Sequence, residues 1–286
     1  MNKTGIISLM AALSLPLTGC NGDAASGKAL LERAQAAFEA GNYSLAKLQI
    51  DSIRTLYPKA FDARKAGIRL MQQVDLKEQE KSIRYLDSMK VVKQAAFDSI
   101  KGEFVFEKDT AYQETGNYFY PTQVVEKNIG RSYLRAQVSE RGEMYLTSVY
   151  CGRSYIHHNA VRVSDGNTFA ETPATNDSYE TTVGGQKVEV VEHKSGKDGG
   201  VIAFIESHVG DRSLKVEFKG EHNYTTLMNA SDIKAVAAVS QLARILGAIE
   251  EINKEKREAE LKIRFINKRR EEQRQLNAEE ASAEKL

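Results

Sequence analysis

Five histidines could hold a metal or move a proton, and all of them, His157, His158, His193, His208 and His222, fall within residues 157–222. Successive side chains on a strand point to opposite faces, so at most one of His157 and His158 can join any one cluster. No His, Cys and carboxylate spacing builds a zinc set, and surface or turn positions are expected for these rings. Cys151 is the other candidate nucleophile. A catalytic thiol needs a base within reach, and His157 and His158 are close only in sequence. Cys151 therefore reads as a small buried hydrophobe in the apolar, Tyr-rich segment 144–151. The carboxylates show no spacing that picks out an acid and a base. No GxGxxG, GxxxxGK[ST], GxSxG, HExxH or paired CxxC occurs. No catalytic residue, metal site or cofactor is expected.

The net charge points the same way. With 40 Lys+Arg against 39 Asp+Glu the formal net is +1, too little basic surface for a nucleic-acid binder. Two cysteines cannot form a disulfide framework, and 286 residues suffice to bury a core without one.

Residues 1–20, MNKTGIISLMAALSLPLTGC, carry Lys3 as their single charge, then an apolar run over 5–17. Such a run suits an export signal and is too short for a permanent span of about 30 Å of hydrocarbon. The ending Leu17-Thr18-Gly19-Cys20 resembles the bacterial lipobox. That resemblance implies cleavage before Cys20 and acylation of Cys20, hence a bilayer as partner. Asn21 and Gly22 lack the Asp that in similar lipoproteins signals inner-membrane retention, so an outer-membrane location is expected. Cys151 is then the sole cysteine left with a thiol.

The elements that would position any site change character along the chain. Apolar residues recur at helical spacing from residue 24 to about 100, broken at Gly41-Asn42. Ala34, Ala37, Gly41, Tyr43, Ala46, Ile50, Ile53 and Pro58 resemble one tetratricopeptide repeat. Residues 60–74 could begin a second copy, and 75–100 read as one long helix. Thirteen of the 20 glycines lie between Gly102 and Gly220, where the period becomes two. Strands are expected near Phe104 and Phe106 and over 117–120, 133–138, 144–151, 161–163, 187–193, 201–207 and 214–218. They would form an antiparallel barrel or sandwich. From Ser231, a plausible N-cap with Asp232 in the first turn, a heptad-like stripe runs through Leu242, Ile245, Ile249 and Ile252 to Ile263 and Ile266. The tail is charged but balanced, with ten basic and ten acidic residues over 250–286.

The expected organisation is α+β: signal peptide 1–19, lipidated tether 20–26, helical region 27–101, β domain 102–226, long helix 230–275 and disordered tail 276–286. Asp51-Ser52-Ile53, Asp87-Ser88-Met89, Asp98-Ser99-Ile100 and Asp109-Thr110-Ala111 share the form Asp, hydroxyl, aliphatic. They resemble the O-glycosylation acceptor of exported Bacteroidota proteins, which implies Ser52, Ser88, Ser99 and Thr110 as acceptors. With the lipidated start and residues 133–138, the arrangement resembles uncharacterised Bacteroidota envelope lipoproteins, and no activity follows from that. The function expected is a non-enzymatic interaction or scaffold protein that meets a protein partner, or a second copy, through its C-terminal helix. A carrier of lipid or a small apolar ligand in the β domain is the alternative; hydrolase chemistry has little support.

Overall fold

Gly41 adopts φ +72°, and the Asn42 side chain accepts a hydrogen bond from the Leu45 amide at 3.1 Å, so one helix ends and the next begins where the helical spacing breaks. The computed structural model describes residues 21–210 and 213–283; the stretch expected to be a signal peptide, and Cys20, lie outside them. The chain forms two compact units, one of residues up to Ile83 together with Glu258 onward, the other Arg84–Arg257.

In the first unit, α1 (Asn21–Glu39) and α2 (Tyr43–Leu56) pack together through Ala34, Ala37, Ala46 and Ile50, joined by Leu70 and Val74 of α3 (Phe61–Ile100). Small residues on the facing stripes let these helices approach closely. Gly27 shows how closely: a Cβ there would lie 2.6 Å from the Ala60 Cβ. Helix α1 starts at Asn21, so residues 21–26 of the expected lipidated tether are helical. Helix α3 also differs from expectation, running unbroken through residue 74. The helix formers of 75–81 (DLKEQEK) give no reason to stop. Lys47 holds α2 to α3 by pairing with Asp75 at 2.8 Å and Glu78 at 2.5 Å.

The second unit contains two antiparallel sheets. One has six strands in the order β1 (Val105–Glu107), β2 (Asn117–Phe119), β3 (Tyr133–Ser139), β4 (Met144–Gly152), β8 (Gln186–Lys194), β7 (Ser178–Val183). The other has four, in the order β10 (Tyr224–Leu227), β9 (Lys215–Lys219), β5 (Ala160–Ser164), β6 (Phe169–Glu171). The sheets remain open, so they do not make a barrel. Leu134, Leu146, Val161, Val216 and Phe218, none more than 1% exposed, share one core with α4 (Val201–Ser207) and the first turns of α5 (Ala230–Ala283).

Residues 201–207, expected as a strand, form α4. Asp198 accepts the Ile202 amide at 2.9 Å, and Gly200 at φ +83° turns the chain into the helix. Val201, Ile202 and Ile205 then face the core at helical spacing, which in so short a run is easily mistaken for alternation.

Helix α5 begins one residue before the expected cap, so Ser231 is helical. Asp232 is 1% exposed and takes a bidentate Arg131 pair at 2.7 and 2.8 Å. Residues Ile233, Val236, Val239, Leu242 and Leu246 are spent on the β core, so this part of the stripe does not await a partner. Its far part belongs to the same unit as the N-terminal helices, with Ala259 4% exposed, and it stays helical to Ala283, through most of the expected disordered tail.

The β3–β4 turn packs against the α5 backbone so closely that residue 142 has to be glycine, whereas Gly247 of α5 does not. Gly142 has φ +81°, and a Cβ on it would lie 2.1 Å from the Gly247 nitrogen, whereas a Cβ on Gly247 would meet only the Gly142 carbonyl, at 4.0 Å. Gly142→Ala is expected to lose about 2–5 kcal/mol from strain and overlap. Gly247→Ala is expected to be neutral or to gain up to about 1 kcal/mol from helix propensity. Urea unfolding of both variants checks the contrast, and equal losses would contradict it.

Candidate functional site

Alternation along β4 and β8 divides one sheet into two different surfaces. Ser148, Glu189, Val191 and His193 point inward and are 3% exposed or less; Thr147, Val149, Cys151, Val188 and Val190 lie on the other face. In the ladder Ser148 stands opposite Val191 and Tyr150 opposite Glu189.

Inside, Glu189 pins the loop that follows β4. One carboxylate oxygen accepts the amides of Ile156 and His157, at 2.5 and 2.9 Å. The other accepts the His158 amide at 2.8 Å and His158 Nδ1 at 2.7 Å. These donors hold Glu189 below the usual carboxylate range despite the opposing effect of burial. Burial pushes His158 down, so its ring is neutral, donates from Nδ1 and accepts the Ser148 hydroxyl at Nε2, 3.0 Å away. A hydroxyl, an imidazole and a carboxylate in this order are the parts of an acyl-transfer relay. Here the Ser148 Oγ, whose residue is 0% exposed, also lies 3.4 Å from the Val191 carbonyl, and the His158 ring is stacked edge-on against Phe218. In this arrangement Oγ is closed to solvent, and the hydrogen bonds of the cluster lock the loop.

His157 faces the other way, with φ +52° and Nδ1 2.6 Å from a Glu180 oxygen. The ligand atoms of His157, Glu180 and Glu189 lie within 4.8 Å of one another. Both oxygens of Glu189 are already saturated by its donors, so only His157 and Glu180 remain, short of a zinc set.

Outside, β3, β4, β8 and β7 form the floor of a groove of about 190 Å³. Val149, Val188 and Val190 pave it, Cys151 lies at one end and Arg135 toward the other. Four side chains on its rim are notably bare: Val125 at 51%, Ile129 at 68%, Tyr179 at 61% and Val183 at 47% exposed. Scattered exposed apolars need no explanation, but a convergent set around a concavity marks an interaction site. The Arg135 guanidinium stacks 4.2 Å above the Phe119 ring, and its Nε is buried without a hydrogen-bond partner. The guanidinium lines the groove end, where its charge is suited to an acidic or carbonyl oxygen.

Cys151 is thus half-buried in a groove, not in the core. Its Sγ lies 3.3 Å from Gln186 Oε1, and burial pushes the thiol up. His157 and His158 cannot activate it, because their rings are held by Glu180 and Glu189. Alkylation of Cys151 at neutral pH should run slower than that of an exposed thiol, since the thiolate is the reactive form and burial disfavours it. Timed maleimide labelling measures this, and a rate matching free cysteine would show an activated thiol.

Of the modification candidates, Ser52, Ser88 and Ser99 sit on helices with hydroxyls bonded to the carbonyls of Leu48, Tyr85 and Ala96. Thr110 occupies an exposed turn shaped by Asp109, whose side chain accepts the Ala111 amide at 3.0 Å. The inner relay escapes sequence reading because Ser148, His158 and Glu189 are spread over 42 residues, brought together by the β4–β8 ladder and by the loop that Glu189 pins. The groove has a partial signal, the outward set Thr147, Val149 and Cys151, but Val125 and Ile129 join it from a separate loop. Compared with protein-family models, curated proteins and solved structures, the chain matches none.

Proposed function

We propose that this protein is a lipid-anchored, non-enzymatic interaction protein of the cell envelope, tethered through Cys20 to the outer membrane, with the groove on its six-stranded sheet as the docking face. In this reading the two sheets are the layers of a sandwich, α1 and α2 are a single tetratricopeptide-like hairpin, and Thr110 is the acceptor best presented for O-glycosylation. The convergence of Val125, Ile129, Tyr179 and Val183 around the groove carries the proposal. The groove's size suggests what fits. A cavity of about 150 Å³ holds a benzene ring, so about 190 Å³ suits one aromatic or aliphatic anchor of a partner, with an acidic group against Arg135. This size argues against carriage of a whole lipid, which would need room for an acyl chain, and the bare apolar rim favours a protein's anchor over a small apolar ligand.

A photo-crosslinking residue at Ile129, used in native envelope, should capture a discrete protein, and Val190→Asp should abolish the adduct. The same group at Phe169, exposed on the other sheet, should capture none. Equal adducts at both positions, or an adduct indifferent to Val190→Asp, would overturn the docking face. Lipid extracted from the wild type but not from Val190→Asp would establish the carrier instead.

A further inference from the structure

The end of the helical unit nearest residue 20 is unusual for an exposed protein surface. Helix α1 starts at Asn21, so the covalent chain lets Ala24 be no farther than about 9 Å from the Cys20 Cα, one peptide step and one helical turn. Ala24, Ala25 and Lys28 line one cleft with Lys59, Phe61, Asp62 and Arg69 from the α2–α3 corner. The corner is held there by Gly27 against Ala60 and by Arg64, which donates to the Pro58 carbonyl at 2.8 Å. Phe61 is 72% exposed, Leu56 62% and Ile68 63%. On α3, Phe61, Lys65, Ile68 and Arg69 recur at spacings that put them on one exposed arc, opposite the buried Ala63, Leu70 and Val74. Three cations, Lys28, Lys59 and Arg69, line the cleft against one carboxylate, Asp62, while Lys28 is also 4.0 Å from Glu32.

We propose that this corner is a second membrane contact: Phe61 and Leu56 enter the interface of the bilayer, and Lys59, Lys65 and Arg69 meet anionic headgroups. The inference rests on the reading of Cys20 as the lipid attachment. Acyl chains at Cys20 place α1 at the headgroup layer, which is about 5–8 Å deep on each side of the hydrocarbon. An aromatic ring among basic residues is the composition that binds there. One acyl signal plus a basic patch also anchors more firmly than either alone.

The chain contains no tryptophan, so Phe61→Trp installs a single tryptophan that can be excited at the red edge, apart from the 12 tyrosines. Full-length acylated protein carrying Phe61→Trp, reconstituted in phosphatidylethanolamine vesicles containing phosphatidylglycerol, should emit to the blue of the detergent-free aqueous value and be quenched by brominated acyl chains. Leu45→Trp, at the other end of α2, should not be quenched. Lys59→Glu with Lys65→Glu should remove the dependence on phosphatidylglycerol. Water-like, unquenched emission from acylated Phe61→Trp protein overturns the second contact while leaving the anchor intact. Intact mass of the same sample reads acylation separately, and an unacylated Cys20 overturns both.

Discussion

Glu189→Ala should lower stability by about 3–5 kcal/mol, the loss expected when one partner of a buried, hydrogen-bonded charge cluster is removed. Glu189 is 2% exposed, and its oxygens serve three backbone amides and the His158 ring. Removing it strands those donors in a site that water reaches poorly, and each buried donor left unpaired costs about 1–3 kcal/mol. Against a typical total of about 5–15 kcal/mol, this one change removes a large share of the stability. Glu189→Gln should lose less, because one amide oxygen can still accept two of the donors. Urea unfolding gives the ranking, and limited proteolysis should find residues 153–159 newly cleavable in Glu189→Ala. A loss below about 1 kcal/mol would mean that water or relaxation replaces the carboxylate.

Acid should be the second strong perturbation. Burial and the nearby His158 push His193 down to about 4 from its ordinary 6.5, and burial also depresses His158. An unfolded chain takes up these protons near pH 6.5, while the folded chain does not until the pH is far lower. The unfolded state therefore binds more protons in that interval, so stability falls as pH falls from 6.5 to 4, by about 3 kcal/mol from His193 alone at 1.36 kcal/mol per unit. Glu189, depressed in the fold, continues the loss as pH drops through the carboxylate range. His157 is raised by Glu180 and acts in the opposite sense, keeping its contribution below pH 6.5 and losing it as pH rises, but it is exposed and its share is small. Because His193 Nε2 is buried without a partner, His193→Leu should be neutral or stabilising at pH 7 and should flatten the acid slope. Thermal melts from pH 7.5 to 4 test both, and a wild type equally stable across that range would refute the assignment.

Local pattern is most legible where a segment's neighbours in sequence are also its neighbours in space and its signal is spread over several residues. The α1–α2 turn follows from Gly41-Asn42, the strands at 133–138 and 144–151 from alternation, and the long last helix from the lack of breakers after residue 230. Misreadings arose where a short or capped segment carried its signal in one side chain. Asp198 turns 201–207 from strand to helix, and nothing in 74–81 tells α3 to stop.

The sequence by itself determined the export-like start, the near-zero charge, the order of helical, β and helical regions, and the absence of familiar catalytic motifs. Tertiary structure alone decided which histidines matter and where Cys151 points. Ser148 and Glu189 come together because β4 pairs with β8, His158 reaches them through the loop that Glu189 holds, and the same pairing turns Val149, Cys151, Val188 and Val190 together toward the groove. The physical reason is the period of two: a strand's sequence specifies that its faces differ, but only its partners specify what each face meets.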